Sequence, residues 1–352
     1  MRFEYYHSGL DSIPKLSVDG TVSNSIHFSH WQGNETPPEV KADTSTEIAL
    51  NLVSSPNPER LTQGIELVTN NHFDTDGVLS VWTVLTGERA LDLREKLISA
   101  AEAGDFSEFS SELGVKVSIV IQGPDQASSS NETGSPLARE LAGEDVDDDA
   151  QAYELVLPEV ARVFTNIGEY EPLWHDAWIQ LESAIESFES GRSQVKEYPG
   201  EQLTLITLAP EIFSQAGLDP TQHTPPNMAI SRYARGKLFL IATPVQDGWV
   251  YRLDYPYYSW AETVKRPRIE RRNLTLTLER LNEIEPRGIG QWKPDAREMT
   301  SAAKFLNEDG TLAASRLQPD DVARICSEQP RLSATGRSLC TMSSSSEPVR
   351  RG

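Results

Sequence analysis

The sequence predicts an α/β fold: an open, mainly parallel sheet with helices, followed by a smaller mixed α/β lobe on the C-terminal side. Two observations indicate this class. Short apolar strand patterns alternate with helical patterns in the first half of the chain, and aromatic strand patterns replace them after residue 200. We expect an α/β domain over 1–200, a mixed lobe over 201–315 and a polar, disordered tail over 316–352.

The first elements follow from local patterns. Apolar residues alternate within 22–30, which predicts a strand. Thr44 followed by Glu47 is a capping box and predicts the start of a helix. Residues 64–69 read as a short buried strand, and a helix is expected to begin near residue 78. This order of strand and helix is typical of a parallel sheet.

The middle of the chain is mostly helical by pattern. Residues 90–103 predict a helix that ends at Gly104 as a left-handed cap. The apolar run 115–121 is compatible with a strand or with a buried helix, and the pattern leaves both open. Residues 122–150 are rich in Ser, Gly and acids, so we expect a flexible acidic insertion there. A long helical region is expected over 152–190.

Aromatic and β-branched residues dominate beyond residue 200. We expect a strand over 203–208 and a hairpin formed by 237–243 and 249–255 around a turn at Gly248. Leucines at helical spacing in 273–284 predict an amphipathic helix. These elements define the expected C-terminal lobe.

Composition excludes several classes of function. Acidic residues outnumber basic ones 53 to 32, for a net charge of −21, which disfavours broad binding of nucleic acid or of anionic membrane. The two cysteines, Cys326 and Cys340, both lie near the C-terminus, so disulfides cannot hold the body of the fold. No signal-peptide pattern and no apolar run of about 18 residues is present. The sequence therefore favours a cytoplasmic protein of unspecified oligomeric state.

The clearest indication of chemistry is the loop 72–77. His72, Asp74 and Asp76 alternate directly after a predicted strand, at the edge where α/β sheets bind ligands. Two ionised carboxylates about 4–5 Å apart repel by roughly 3–4 kcal/mol at an effective dielectric near 20. A divalent cation turns that repulsion into attraction, and carboxylate with imidazole suits Mn²⁺ or Mg²⁺. Alternatively, the two acids cap the next helix and His72 bonds the backbone.

The run Thr69-Asn70-Asn71-His72-Phe73-Asp74-Thr75-Asp76-Gly77-Val78-Leu79-Ser80 resembles the first motif of the DHH-type phosphoesterases. In that family a strand ends in a His, an Asp and an Asp that bind metal, followed by Gly and by a Ser of the next helix. The resemblance implies that His72, Asp74 and Asp76 are metal ligands in a hydrolase of phosphoesters or phosphoanhydrides. The chain lacks the family's Asp-His-His triplet and Gly-Gly-Gly-His motif, so further ligands must come from elsewhere.

Three residues are candidates for those ligands. His30 ends the first predicted strand, Asp43 precedes the capping box, and Asp105 follows Gly104. The alternatives are a hydrogen-bonded strand-end histidine for His30 and helix-starting positions for the two acids. We expect a coordinating acid, Asp74 or Asp76, or else His30, to relay the proton in catalysis.

A basic run stands out against the acidic background. Lys265, Arg266 and Arg268 are candidate contacts for substrate phosphate, and the aromatic segment Tyr255–Trp260 beside them offers a stacking surface. The alternative is a solvated face on which these cations pair with nearby glutamates. No phosphate-binding glycine loop and no Gly-x-Ser-x-Gly motif is present.

These observations predict an Mn²⁺- or Mg²⁺-dependent hydrolase that acts on a small phosphorylated substrate. The alternative is a non-catalytic protein for ligand binding or interaction that keeps a metal-binding loop.

Overall fold

The first sheet is parallel and small. The computed structural model describes residues 1–123, 135–137, 146, 148–200, 202–295 and 299–328. Four strands pair in the order β1-β4-β2-β3, all in parallel. Their bounds are β1 Arg2–Phe3, β2 Lys15–Val18, β3 Ser25–Phe28 and β4 Leu67–Thr69.

Helices pack against this sheet and make up most of the described residues from 45 to 189. They are α1 Ser45–Val53, α2 Pro58–Thr62, α3 Thr75–Thr86, α4 Arg94–Phe106, α5 Glu112–Gln122, α6 Asp149–Val156, α7 Val160–Thr165 and α8 Glu171–Glu189. Shorter 3-10 turns lie at Ser8–Leu10, Gly87–Leu93, Leu157–Glu159 and Ile167–Tyr170.

The second sheet is mixed and has six strands in the order β5-β6-β7-β8-β10-β9. Only β6 and β7 pair in parallel within it. The strands are β5 Gln194–Tyr198, β6 Leu203–Thr207, β7 Leu238–Val245, β8 Gly248–Asp254, β9 Gln291–Pro294 and β10 Ser301–Leu306. The accompanying helices are α9 Glu211–Ser214, α10 Asn227–Tyr233, α11 Thr275–Ile284 and α12 Pro319–Ser327, with a 3-10 turn at Tyr257–Trp260.

The second sheet separates two hydrophobic cores. Ile206 and Ile241 belong to the larger core, which they share with the helices of the first half. Leu205 and Leu240, the preceding residues on β6 and β7, belong to the other core, beside α11 and α12. Successive residues of a strand point to opposite faces, so both faces of β6 and β7 are buried. The two sheets and their helices confirm the predicted α/β class.

Several predicted elements are confirmed. Thr44 caps α1, and its side chain accepts a hydrogen bond from the backbone N of Glu47. The turn at Gly248 joins β7 to β8 in an antiparallel hairpin, and the helix predicted over 273–284 is α11. The strand expected within 22–30 is β3, and the strand expected over 64–69 ends as β4.

One open alternative is decided, and one expectation is wrong. The run 115–121, compatible by pattern with a strand or a buried helix, is helical within α5, because Ser111 caps that helix and its apolar residues are buried on nearly every side. Gly104 lies inside α4 and is not its cap; a Cβ there would lie 2.6 Å from the Cβ of Thr75, so glycine permits close packing of α3 against α4.

Two longer segments also differ from expectation. The helical region over 152–190 is divided into α6, α7 and α8 by 3-10 turns, one of which contains Pro158. The segment after residue 316 is not all tail, because α12 buries Val322 and Ile325 in the second core. Most of the expected insertion at 122–150 lies outside the described residues, as does the chain after residue 328.

Candidate metal centre

The parallel pairing of the first sheet brings three loops to one edge. β2 aligns Val18 with Phe28 of β3, and it aligns Ser17 with Thr69 of β4. Each strand ends at this edge, so the residues that follow them meet there. The loops after β2 and β3 carry Asp19 and His30, and the residues 70–74 after β4 lead into α3, whose first turn carries Asp76.

Four buried side chains form the first group of possible ligands: Asp19, His30, Asp76 and Asp105. His30 Nε2 lies 3.1 Å from Asp105 Oδ2, 3.3 Å from Asp19 Oδ1 and 3.7 Å from Asp76 Oδ2. We call these four residues the buried group. Three carboxylates around one imidazole nitrogen, with the side chains withdrawn from solvent, are a set of ligands that can hold a cation.

A second group adjoins the first. His72 Nε2 lies 3.1 Å from Asp19 Oδ2 and 3.0 Å from Asp74 Oδ2. We call Asp19, His72 and Asp74 the outer group, since the side chains of His72 and Asp74 are 26% and 28% exposed. Asp19 belongs to both groups and directs one carboxylate oxygen to each. The arrangement is therefore two adjoining groups of candidate cation ligands that share one carboxylate.

The orientation of His30 is fixed from behind. Its Nδ1 lies 2.6 Å from the backbone oxygen of Asp43. A carbonyl oxygen only accepts, so the proton is on Nδ1 and Nε2 is directed at the carboxylates. Metal-ligating histidines are held in the same way in proteins, with the non-ligating nitrogen donating to a carbonyl or carboxylate.

Asp76 is held by the start of α1. Its two oxygens accept hydrogen bonds from the backbone nitrogens of Ser45, at 2.6 Å, and Thr46, at 2.7 Å. The Ser45 hydroxyl also donates to Asp19 Oδ1 at 2.8 Å. The positive end of a helix stabilises negative charge, so the N-terminus of α1 supports two carboxylates of the buried group.

Asp74 is both a helix cap and a candidate metal ligand, the two roles predicted for the acids of this loop. Its Oδ1 accepts a hydrogen bond from the backbone N of Gly77 at 2.7 Å, so it is the N-cap of α3. Its Oδ2 faces His72 in the outer group. The capping and ligand roles use different oxygens of one carboxylate and do not exclude each other.

Burial and neighbouring negative charges raise the pKa values of two acids of the buried group, Asp76 and Asp105. Burial, together with the charge of Asp19, raises the pKa of Asp76 to about 7. Burial and the charges of Asp74 and Asp76 raise the pKa of Asp105 well above its usual range. In the absence of metal, protons therefore offset part of the negative charge.

The pKa values of His30 and His72 are raised, whereas burial alone lowers the pKa of a histidine. Burial alone lowers the pKa of His72, but the charges of Asp74 and Asp19 outweigh it and raise the value to about 12. Burial opposes protonation of His30 too, and its contacts with Asp105 and Asp19 raise that pKa well above its usual range. Asp19 has a pKa below its ordinary value, because the hydrogen bonds of both histidines outweigh its burial. A bound cation replaces such protons.

The structure brings five of the six predicted ligand candidates together: His30, His72, Asp74, Asp76 and Asp105. Asp43 lies outside both groups. Its carboxylate accepts hydrogen bonds from the backbone of Val264 and Lys265 and pairs with Arg266, and only its backbone oxygen reaches His30.

Sequence reasoning missed Asp19, the residue that joins the two groups. The signal was its position directly after β2, before Gly20. That strand is only four residues long and begins with a lysine, so its pattern is weak. Lys15 is nevertheless fully buried, and its ammonium donates to the backbone oxygens of Leu10 and Ile13.

Two residues of the basic run form ion pairs with carboxylates of the first half of the chain. Arg266 pairs with Asp43, Glu102 and Glu108, and Lys265 Nζ lies 2.8 Å from Glu47 Oε1.

Arg268 instead lines a cavity of about 790 Å³ together with Gln32, Tyr258 and Arg271. This cavity is large enough for a small molecule, so Arg268, one of the three predicted phosphate contacts, borders a possible binding space.

Two indole rings cover the centre. Trp260 meets His30 edge-on, with ring centroids 4.9 Å apart. Trp31 lies between Trp260, at 5.1 Å, and His72, at 5.3 Å. Since Trp260 comes from the predicted aromatic segment Tyr255–Trp260, the C-terminal part of the chain helps to enclose the candidate ligands.

The fold and this centre define an α/β protein with a buried Asp/His cluster able to hold metal ions. The chain belongs to DUF6687, a family of unknown function whose model matches residues 2–328. No curated protein matches it. Within the described residues, no helix has the length and apolar character needed to cross a membrane.

One solved structure with some likeness is the pGpG-specific phosphodiesterase PggH from Vibrio cholerae. It is 11% identical, and the match covers 88% of this chain and 83% of that one with a TM-score of 0.32. A TM-score this low carries no argument about function, so the function must be argued from the centre itself.

Proposed function

We propose that this protein is a metal-dependent hydrolase of a small phosphoester or phosphoanhydride, with two Mn²⁺ or Mg²⁺ ions held by the buried and outer groups. The observation that carries the proposal is the shared carboxylate of Asp19, with one oxygen in each group. Paired cations in such a site neutralise phosphoryl oxygens and lower the pKa of a bound water. The resemblance of the loop 72–77 to the DHH-type phosphoesterases supports the same class.

The kinds of donor favour a particular metal. Each group combines carboxylate oxygens with one imidazole nitrogen. Mg²⁺ prefers oxygen ligands and retains several waters, whereas Mn²⁺ accepts imidazole more readily. We therefore expect Mn²⁺ to bind more tightly than Mg²⁺.

The exposure of the two groups assigns different roles to their side chains. His30 is fully buried, and both of its nitrogens already face protein atoms. Asp74 is partly exposed. Substrate must approach from the outer group, so Asp74 is the better candidate to relay a proton, and Asp76 and His30 act as ligands.

The basic run contributes through Arg268. Arg266 already pairs with three carboxylates and Lys265 with Glu47, so Arg268 is the member of the run that we assign to an anionic substrate. A small phosphorylated molecule in the cytoplasm is the partner that fits this centre and the acidic composition.

The test combines metal binding with turnover. Mn²⁺ titration of the purified chain should give two ions per chain. Asp105→Asn should weaken one site, and Asp19→Asn should weaken both by more than the roughly 10- to 100-fold seen for supporting residues. The exposed Asp176→Asn is the matched control and should bind as the wild type does.

Hydrolysis is measured in the same proteins with Mn²⁺ and a panel of nucleotides, polyphosphates and phosphomonoesters. Turnover that falls with Asp19→Asn and not with Asp176→Asn supports the proposal. Failure of the wild-type chain to bind Mn²⁺ contradicts it.

One observation favours the alternative, a non-catalytic binding protein. The side chains of the buried group are almost wholly withdrawn from solvent, as in structural metal sites. Bound metal without turnover on any member of the panel would support this alternative.

A further inference from the structure

Two buried polar atoms next to the outer group, one on Asn70 and one on Tyr153, have no hydrogen-bond partner among the described residues. Asn70 and Tyr153 are both fully buried. Among the described residues, neither Nδ2 of Asn70 nor the hydroxyl of Tyr153 has a hydrogen-bond partner. Buried polar atoms in native proteins are nearly always satisfied, so each unpaired one requires an explanation.

The two atoms lie close together beside Gly77. A Cβ on Gly77 would lie 2.6 Å from Asn70 Nδ2 and 2.7 Å from the Tyr153 hydroxyl. The same point lies 3.1 Å from Asp74 Oδ1, the oxygen that caps α3 on the carboxylate whose Oδ2 faces His72 in the outer group. Glycine at residue 77 therefore permits a close approach, and two hydrogen-bond donors meet beside a candidate metal ligand.

The orientation of the Asn70 amide is determined by its other end. Its Oδ1 accepts hydrogen bonds from the backbone nitrogens of Asn71 and His72, the latter at 3.0 Å. The oxygen is thereby identified, and the opposite atom is the NH₂ group, which only donates. The same side chain shapes the loop that carries His72.

The ring of Tyr153 is held by other aromatic rings. Its centroid lies 4.7 Å from that of Phe3 and 5.4 Å from that of Phe73. Such packing fixes the position of the hydroxyl. Two donors are thus held in place before anything binds to them.

We propose that Asn70 Nδ2 and the Tyr153 hydroxyl bind a phosphoryl oxygen, of the substrate or of a phosphate product, at the outer group. Two fixed donors fit an oxygen that accepts hydrogen bonds. Asp74 alone would repel an anion, so the site rests on the proposed function, in which a cation at the outer group neutralises that carboxylate.

The experiment measures binding of inorganic phosphate to the full chain loaded with Mn²⁺, by isothermal titration calorimetry. Tyr153→Phe should bind phosphate about tenfold more weakly or worse, the loss expected for a hydrogen bond to a charged oxygen. Tyr5→Phe is the matched control, because Tyr5 lies in the same aromatic cluster but its hydroxyl donates to Asp149. It should bind phosphate as the wild type does.

A second measurement separates a ligand contact from a structural role. Tyr153→Phe removes an unpaired buried hydroxyl, so the melting temperature of the metal-free protein should not fall and Mn²⁺ affinity should not change. A lower melting temperature with unchanged phosphate affinity would show that the hydroxyl serves only the fold.

The remaining outcomes are also decisive. Phosphate affinity equal to wild type in Tyr153→Phe means that the space holds an ordered water only and overturns the inference, even if the enzyme turns over substrate. Absence of phosphate binding by the Mn²⁺-loaded wild type overturns it as well. Weaker phosphate binding by Tyr153→Phe in a protein without hydrolytic activity supports the subsite and refutes the proposed hydrolase.

Discussion

Arg266 offers the sharpest test of how the C-terminal part of the chain supports the candidate metal centre. Its Nη1 lies 2.8 Å from Asp43 Oδ2, and its Nη2 lies 2.7 Å from Glu102 Oε1. Both its Nε and its Nη2 donate to Glu108. The guanidinium also lies over the ring of Phe106, 4.8 Å from its centroid. Arg266→Met keeps an apolar stem over that ring and removes the charge.

Arg266→Met should lower the free energy of unfolding considerably, because it leaves carboxylates without their cation. Asp43 is buried, whereas the side chains of Glu102 and Glu108 are 18% and 25% exposed and can turn toward water. Breaking a buried ion pair from one side typically costs about 3–5 kcal/mol. Asp43 keeps its backbone hydrogen bonds from 264–266, so we expect the lower end of that range, about 3 kcal/mol of unfolding free energy.

Arg266→Met should also weaken the binding of metal. Asp43 holds the Nδ1 proton of His30 through its backbone oxygen, so displacement of Asp43 misdirects Nε2. Loss of such a supporting contact costs about 10- to 100-fold in metal affinity. We expect Arg266→Met to weaken Mn²⁺ binding by roughly tenfold, which titration of the folded variant measures.

Urea denaturation of the metal-free protein measures the stability change. The control is Arg162→Met, which removes an exposed pair with Glu169 and should leave the denaturation midpoint unchanged. Adding Glu102→Gln and Glu108→Gln to Arg266→Met should restore part of the loss, since fewer charges remain unpaired. A loss below about 1 kcal/mol with normal Mn²⁺ affinity would refute the reasoning.

Three further substitutions or conditions test the local interpretations. Thr44→Ala removes the cap of α1 and should lower the unfolding free energy in urea by about 1 kcal/mol; no change would show that the cap is dispensable. Gly104→Ala should destabilise by about 1–3 kcal/mol through contact with Thr75, although alanine normally stabilises a helix interior; a stabilised variant would contradict the close packing. Burial raises the pKa of the Cys326 thiol to about 12, so in a Cys340→Ser variant iodoacetamide at pH 8.5 should label it only after unfolding. Since the unfolded thiol ionises near pH 8.5, this thiol's contribution to stability should be lost as pH rises from about 8.5 toward 12, and rapid native labelling would contradict its burial.

Local sequence determined most of the elements that surround the centre. The capping box at Thr44, the strand before the loop 72–77 and the turn at Gly248 are read from neighbouring residues, because each depends on backbone hydrogen bonds within a few positions. The prediction for 115–121 stayed ambiguous because a fully buried helix and a buried strand share the same apolar composition.

Some candidate ligands can be predicted from local sequence, whereas others join the site only through strand pairing. His72, Asp74 and Asp76 stand at alternate positions, and this spacing predicts a cation site with helix capping as the alternative. Asp19 and His30 join them only because β2 pairs in parallel with both β3 and β4, which places the ends of three strands at one edge. No local pattern encodes that pairing.

The α/β class and the candidate ligands His72, Asp74 and Asp76 can be predicted from local patterns, because hydrophobic periodicity and charge spacing are local properties. That Asp19 joins the two groups and that Arg266 pairs with neighbouring carboxylates is visible only in the folded chain. The same holds for Tyr153, which faces Gly77 from a distant helix. These relations join residues far apart in the chain, and they are set by strand pairing and by the packing of buried side chains.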